Sequence, residues 1–266
     1  MCRCRPPTAA APRQVLLKLG NAQWQTAGYQ AEEVLRSYQE GRDAALALDQ
    51  RDEAAEAGIR MSQYLYGSCR HSDVLEIGDN ILRGQTDRLR PETLVHLWLM
   101  ISSAHCHMGD FQQSLAFSQK AIELDDHVNC THKAPWAGAD PAVVARDVVE
   151  TAARVMGHLD RSMAVAEQGM AIALERGHLF SIVWASVSRI LALTSFGCYA
   201  EAVACADHAL AICENMASIR WCCRDLCWNL MARSPVESGY GVRQPGQIAC
   251  DRVSGLGSAT RRLCAL

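Results

Sequence analysis

"MGDFQQSLAFSQKAIELDD" (Met108–Asp126) decides the fold, because its spacing returns twice. "MGHLDRSMAVAEQGMAIALE" (Met156–Glu175) and "FGCYAEAVACADHALAICEN" (Phe196–Asn215) repeat it. Counting from Gly109, Gly157 and Gly197, large residues fall at +2 and +6: Phe111 and Leu115, Leu159 and Met163, Tyr199 and Val203. A small residue and then a large one fall at +12 and +13: Ala121 and Ile122, Gly169 and Met170, Ala209 and Leu210. Such a stripe is helical, and the small residue is a notch that a neighbouring backbone can approach.

A second helical run precedes each glycine: "ETLVHLWLMISSAHCHM", "PAVVARDVVETAARVM" and "SIVWASVSRILALTSF". Glycine ends a helix by taking the left-handed conformation without steric cost. The unit is therefore helix, tight turn, helix. Two further units lie upstream. "QVLLKLGNAQWQTAG" ends at Gly28 and leads into "YQAEEVLRSYQEGRDAALALD"; "RDEAAEAGIRMSQYLYG" ends at Gly67 and leads into "SDVLEIGDNILRG". The five turn glycines stand 39, 42, 48 and 40 residues apart. The long interval holds "HVNCTHKAPWAGADP", an inserted loop over 127–141 with Pro135 and Pro141. A period near 40 made of helix pairs predicts an all-α, right-handed α-solenoid of about five helix-turn-helix repeats, in which stacking buries what no pair can bury alone.

Composition agrees with a folded chain. Of 266 residues, 49% are apolar and 21% charged, and the formal net charge is -3. That charge gives no generic attraction to nucleic acid or to an anionic membrane. No run of 18 uncharged apolar residues occurs, so no membrane-spanning segment is expected. The opening "MCRCRPPTAAAPR" lacks a secretory apolar core. Thirteen cysteines, several at apolar helix positions (Cys106, Cys205, Cys213), suggest free thiols in a reducing cytoplasm.

The ends break the pattern. The organisation expected is a disordered stub over 1–13, repeats over 14–217, and an irregular, disordered tail over 218–266. The periodicity stops after Met216, which suggests a gene fragment whose reading frame shifts near its end.

Catalytic and metal motifs are missing. No Gly-Lys-Ser/Thr, H-E-x-x-H or G-x-S-x-G occurs, and no lysine (Lys18, Lys120, Lys133) follows a glycine. His105, Cys106 and His107 with His127, Cys130 and His132 match no zinc spacing, nor do Cys222, Cys223 and Cys227, so no metal or cofactor is expected. The acidic pairs Glu32/Glu33 and Asp125/Asp126 read as exposed, and Met156, Met163 and Met170 as core.

Trp98, Gly109, Phe111 and Ala121 match the large, turn-glycine, aromatic and notch positions of a tetratricopeptide repeat, which the block from Trp98 to Asp126 resembles. "LGNA" (Leu19–Ala22) looks like that family's Leu-Gly pair, whereas Ser102 stands where glycine is usual. More narrowly, "LLKLGNAQWQTAGYQAEEVLRSYQEGRDAALAL" and "GHLDRSMAVAEQGMAIALERGHLFSIVWA" are similar to the C-terminal repeats of bacterial signalling proteins. Those proteins carry a class III adenylate or guanylate cyclase and an ATPase module upstream. The resemblance implies a non-catalytic protein-interaction or regulatory module. Two alternatives stay open: an accessory part of such a cyclase, with the catalytic domain supplied elsewhere, and a non-functional remnant. In tetratricopeptide arrays the first helix of each pair lines a concave groove. By that resemblance His96, Leu99, Ser103 and His107 face it from the third unit, Asp147, Thr151 and Arg154 from the fourth, and Trp184 and Val187 from the fifth. The implied occupant is a protein or peptide. The convex and end faces also leave room for a homodimer.

Overall fold

A computed structural model of the chain describes residues 18–20, 22, 32–83, 86–128 and 138–214. Among these, every regular element is helical. The order is α1 (Glu32–Ala47), α2 (Arg51–Gly67), α3 (His71–Arg83), a 3-10 turn (Thr86–Arg88), α4 (Pro91–His107), α5 (Phe111–Val128), α6 (Pro141–Val155), α7 (Leu159–Arg176), α8 (Leu179–Phe196) and α9 (Tyr199–Glu214). The expected segments 1–13 and 218–266, the turn at Gly28 and the middle of the loop 127–141 lie outside the described residues. That loop is shorter at its edges than expected, because α5 runs on to Val128 and α6 begins at Pro141.

The chain divides into two units, 1–137 and 138–266. In the first, sequence-adjacent helices from α1 to α5 pack in succession and α2 also touches α4. In the second, α6 to α9 do likewise and α6 touches α8. In each unit, then, the first helices of consecutive pairs meet directly.

Gly109, Gly157 and Gly197 have φ of +83°, +80° and +78°, the left-handed caps that the spacing predicts. Gly67 does not. It is the last residue of α2, and the left-handed position falls two residues later, on Cys69 at φ +58°. A side chain there clashes with its own backbone, which costs on the order of 1 kcal/mol. Replacing Cys69 with glycine is expected to raise stability by about 1 kcal/mol in urea unfolding; no gain would mean that the conformation carries no strain.

With Cys69 as reference, the three intervals become 40, 48 and 40 residues. Seven residues before the left-handed position stand Ser62, Ser102, Glu150 and Ile190; five after it stand Val74, Ser114, Ser162 and Ala202. All eight are buried. This is the layer where the helices of a pair meet. It is hydroxylic in α4–α5, where Ser102 Oγ lies 2.7 Å from the Ser114 carbonyl and from Ser118 Oγ. It is ionic in α6–α7 and apolar in α8–α9, where Ile190 and Ala202 share one cluster.

Several expectations need correction. Asp125 is buried, because 114, 118, 121 and 125 form the inward stripe of α5, whereas Asp126, Glu32 and Glu33 are exposed. Met163 and Met170 are core residues, but Met156 caps α6 and is exposed. Cys69, Cys106, Cys205 and Cys213 are free, and Cys198 is buried in the α8–α9 turn. One helix, α8, is long and apolar enough to cross a membrane by length and composition, with a mean hydropathy of 1.6. Half of it is buried within the chain, it packs on α6, α7 and α9, and its Arg189 donates to Glu167 of α7 at 2.7 Å. Those are the properties of a core helix.

Candidate functional site

The α6–α8 contact of the second unit joins two of the expected groove residues of that unit, Asp147 and Trp184. Asp140 caps α6 by accepting from the Ala142 N–H at 3.0 Å, and Pro141 occupies the first turn, where its missing N–H costs nothing. From this start Asp147, Thr151 and Arg154 follow at helical spacing. Trp184 and Val187 do so on α8.

Asp147 bridges the helices. Trp184 Nε1 donates to its Oδ2 at 3.1 Å, and Ser188 Oγ donates to its Oδ1. The indole is held at its nitrogen while the ring stays open, with 39% of Trp184 exposed. Phe180 lies one turn away, its ring centroid 5.9 Å from that of the indole at a tilt of 52°. Val187 is half-buried. An aromatic surface pinned by a carboxylate has little rotamer freedom left to lose on binding.

Thr151 and Arg154 serve another group. Both donate to Glu150, Thr151 Oγ1 at 3.3 Å and Arg154 Nε at 2.9 Å, while Ser162 Oγ of α7 donates at 2.8 Å. Glu150 is fully buried. Burial pushes its carboxyl above the ordinary value, Arg154 and the Ser162 hydroxyl oppose that, and the nearby Asp147 charge adds to it. Arg154 is thus tied to the α6–α7 interior and only its flank is accessible.

In the first unit the expected set separates. His96, Leu99 and Ser103 are buried, so they present no surface to a partner. His107, at the last position of α4, is exposed. Its ring lies against Tyr66 of α2 and His71 of α3, both ring centroids 5.1 Å away. Sequence reasoning singles out neither Tyr66 nor His71, nor Phe180, Ser188 and Glu150.

The "RGHLFS" passage (176–181), within the second stretch quoted for the family resemblance, ties α6, α7 and α8 together. Gly177 is left-handed at φ +67°. Arg176 pairs with Asp140 at 2.5 Å, the Asp140 N–H donates to Ser181 Oγ at 2.9 Å, and His178 Nδ1 lies 2.8 Å from the same hydroxyl. Ser181 is fully buried, so this Ser-His contact joins α6, α7 and α8 rather than offering a nucleophile. No group of three or more His, Cys, Asp or Glu able to hold a metal exists among the described residues. His105 stacks on Phe117 and pairs with Asp110, whereas His107 turns to Tyr66, so the two histidines diverge. Cys130, His132, Cys222, Cys223 and Cys227 lie outside the described residues. No protein-family model matches the chain, and a search among curated proteins finds no match.

Proposed function

We propose that the chain is a tetratricopeptide-like, right-handed α-solenoid of about five repeats that acts as a non-catalytic protein-interaction module, with a peptide-binding contact centred on Trp184. The observation that supports it is the exposed indole fixed by Asp147. Open surface, low mobility and an aromatic plane are what an interface anchor needs. The common offsets from Cys69, Gly109, Gly157 and Gly197 in both units favour a repeat array. The place of such a module beside a cyclase or ATPase domain, and a cytoplasmic setting, rest on the resemblance and on composition.

The test is selection of peptides from a displayed library on the full chain, followed by measurement of the selected peptides against Trp184→Ala. The expected loss is about 30-fold or more in affinity with the helical signal unchanged. Peptides that bind wild type and Trp184→Ala equally would place recognition elsewhere.

A further inference from the structure

The corner where α2 ends, α3 begins and α4 ends holds a feature that partner recognition at Trp184 does not use. Three rings close it. Tyr66, one residue before the end of α2, lies 5.2 Å from His71, the first residue of α3. His107 closes the triangle at 5.1 Å from each. The bonds within it suit neutral imidazoles. His107 Nδ1 lies 3.0 Å from the Ser103 carbonyl, so that nitrogen carries the proton and donates. The Tyr66 hydroxyl lies 3.1 Å from that Nδ1 and 3.3 Å from Nε2, the nitrogen left to accept. A second proton on His107 removes that lone pair.

His71 is less tolerant still. Its Nδ1 is buried without a hydrogen-bond partner among the described residues. It stands at the start of a helix, the positive end of the backbone dipole, where a cation is disfavoured. The neighbouring charges are mostly closed on one another: Arg70, in the α2–α3 turn, donates to Asp73 of α3 at 2.5 Å. Cys69 in that turn is exposed, and Tyr66 is the titratable group that α2 brings to the rings. From α4 comes His107, which faces His71 at a tilt of 32°.

We propose that this corner is a proton-sensitive latch: with both imidazoles neutral, Tyr66, His71 and His107 bind three helix ends together, and protonation of the pair releases the start of α3 and frees His107. Two imidazolium rings about 5 Å apart repel, and partial burial limits the screening of that repulsion. The direction of titration agrees. Burial, and then the His107 charge, hold the His71 imidazole below its ordinary value. The unfolded chain therefore binds this proton more readily than the folded one. The latch is intact above the ordinary histidine value, about pH 6.5, and is lost as pH falls below it.

Imidazole NMR titration of the full chain tests this, with amide exchange read as protection factors over 66–74. His71 is expected to titrate below the ordinary histidine range, and His107→Gln to move its midpoint upward. Protection over 66–74 is expected to fall about tenfold between pH 7.5 and 5.5 in wild type, and to stay level in the double variant His71→Gln/His107→Gln. A purely structural role for the rings would give both proteins the same pH response. An equal fall in the double variant, or a His71 midpoint untouched by His107→Gln, overturns the latch. If the double variant does not fold, the wild-type titration still decides: His71 titrating at the ordinary value overturns it.

Discussion

Arg154→Met lowers the stability of the second unit by about 3 kcal/mol at pH 7.5, and acidification returns part of that loss. The substitution keeps the apolar stem of the side chain and removes the cation. What it leaves is Glu150, fully buried between α6 and α7, with only the hydroxyls of Ser162 and Thr151 to satisfy a charge. A buried carboxylate stripped of its cation is among the most costly single changes, because desolvation is no longer offset. The sign of the pH effect follows from the same carboxyl. Burial already raises it above the ordinary 4.5 even with Arg154 in place, so the folded chain holds this proton more tightly than the unfolded one. The stability that the proton confers is fully present below the ordinary value and is lost as pH rises through the folded one. Without Arg154 that upper limit rises further. Urea unfolding of Arg154→Met and wild type at pH 7.5 and pH 5.0 therefore shows a smaller difference at the lower pH. Adding Glu150→Gln removes the buried charge and most of the difference at both. An equal loss at both pH values would mean that Glu150 is not ionised beside Arg154 in the folded chain.

The layer that holds Glu150 shows where the sequence is legible and where it is not. The turn glycines are readable because a left-handed residue at a fixed offset from an apolar stripe leaves a strong local mark. Gly67 misleads for the same reason: a glycine stands near the turn, but the helix runs through it, and Cys69 takes the left-handed conformation. Glu150 carries no local mark. Its burial follows from sharing a register with Ser62, Ser102 and Ile190, and a charged residue in that column reads from sequence alone as a surface residue.

The groove residues divide along the same line. Asp147 and Trp184 are each legible as polar and aromatic positions on first helices, but their bond spans 37 residues and exists only because α6 packs on α8. His96, Leu99 and Ser103, placed in the groove by the resemblance, are buried, and periodicity could not have told them apart, because "TLVHLWLMISSAHC" is apolar nearly all round and does not separate a groove face from an interior one. The ring corner is illegible outright. Its members come from three helices, and no spacing rule joins residues 66, 71 and 107.

Close packing gives the second large effect, in the first unit. Ile101 is 2% exposed and packs with Ile59, Leu97 and Leu89. Its truncation to alanine is expected to cost about 3–4 kcal/mol, the transfer term plus the cavity left behind. Gly78 of α3 sits directly over it: a Cβ built there would lie 2.6 Å from Ile101 Cγ1 and 2.8 Å from its Cδ1. Gly78→Ala alone therefore forces the isoleucine to move. It is expected to lose about 1 kcal/mol, overpacking outweighing the gain in helix propensity. In the Ile101→Ala background the obstacle is gone. The methyl added by Gly78→Ala then enters the vacated space, and the propensity gain of about 1 kcal/mol acts unopposed. The same substitution thus changes sign, destabilising wild type and stabilising Ile101→Ala. A four-protein urea series measures this as a coupling of about 2 kcal/mol. Additive behaviour would mean that α3 and α4 are not in contact at this point. The sign change is specific to direct apposition, since a glycine conserving only backbone freedom would respond alike in both backgrounds.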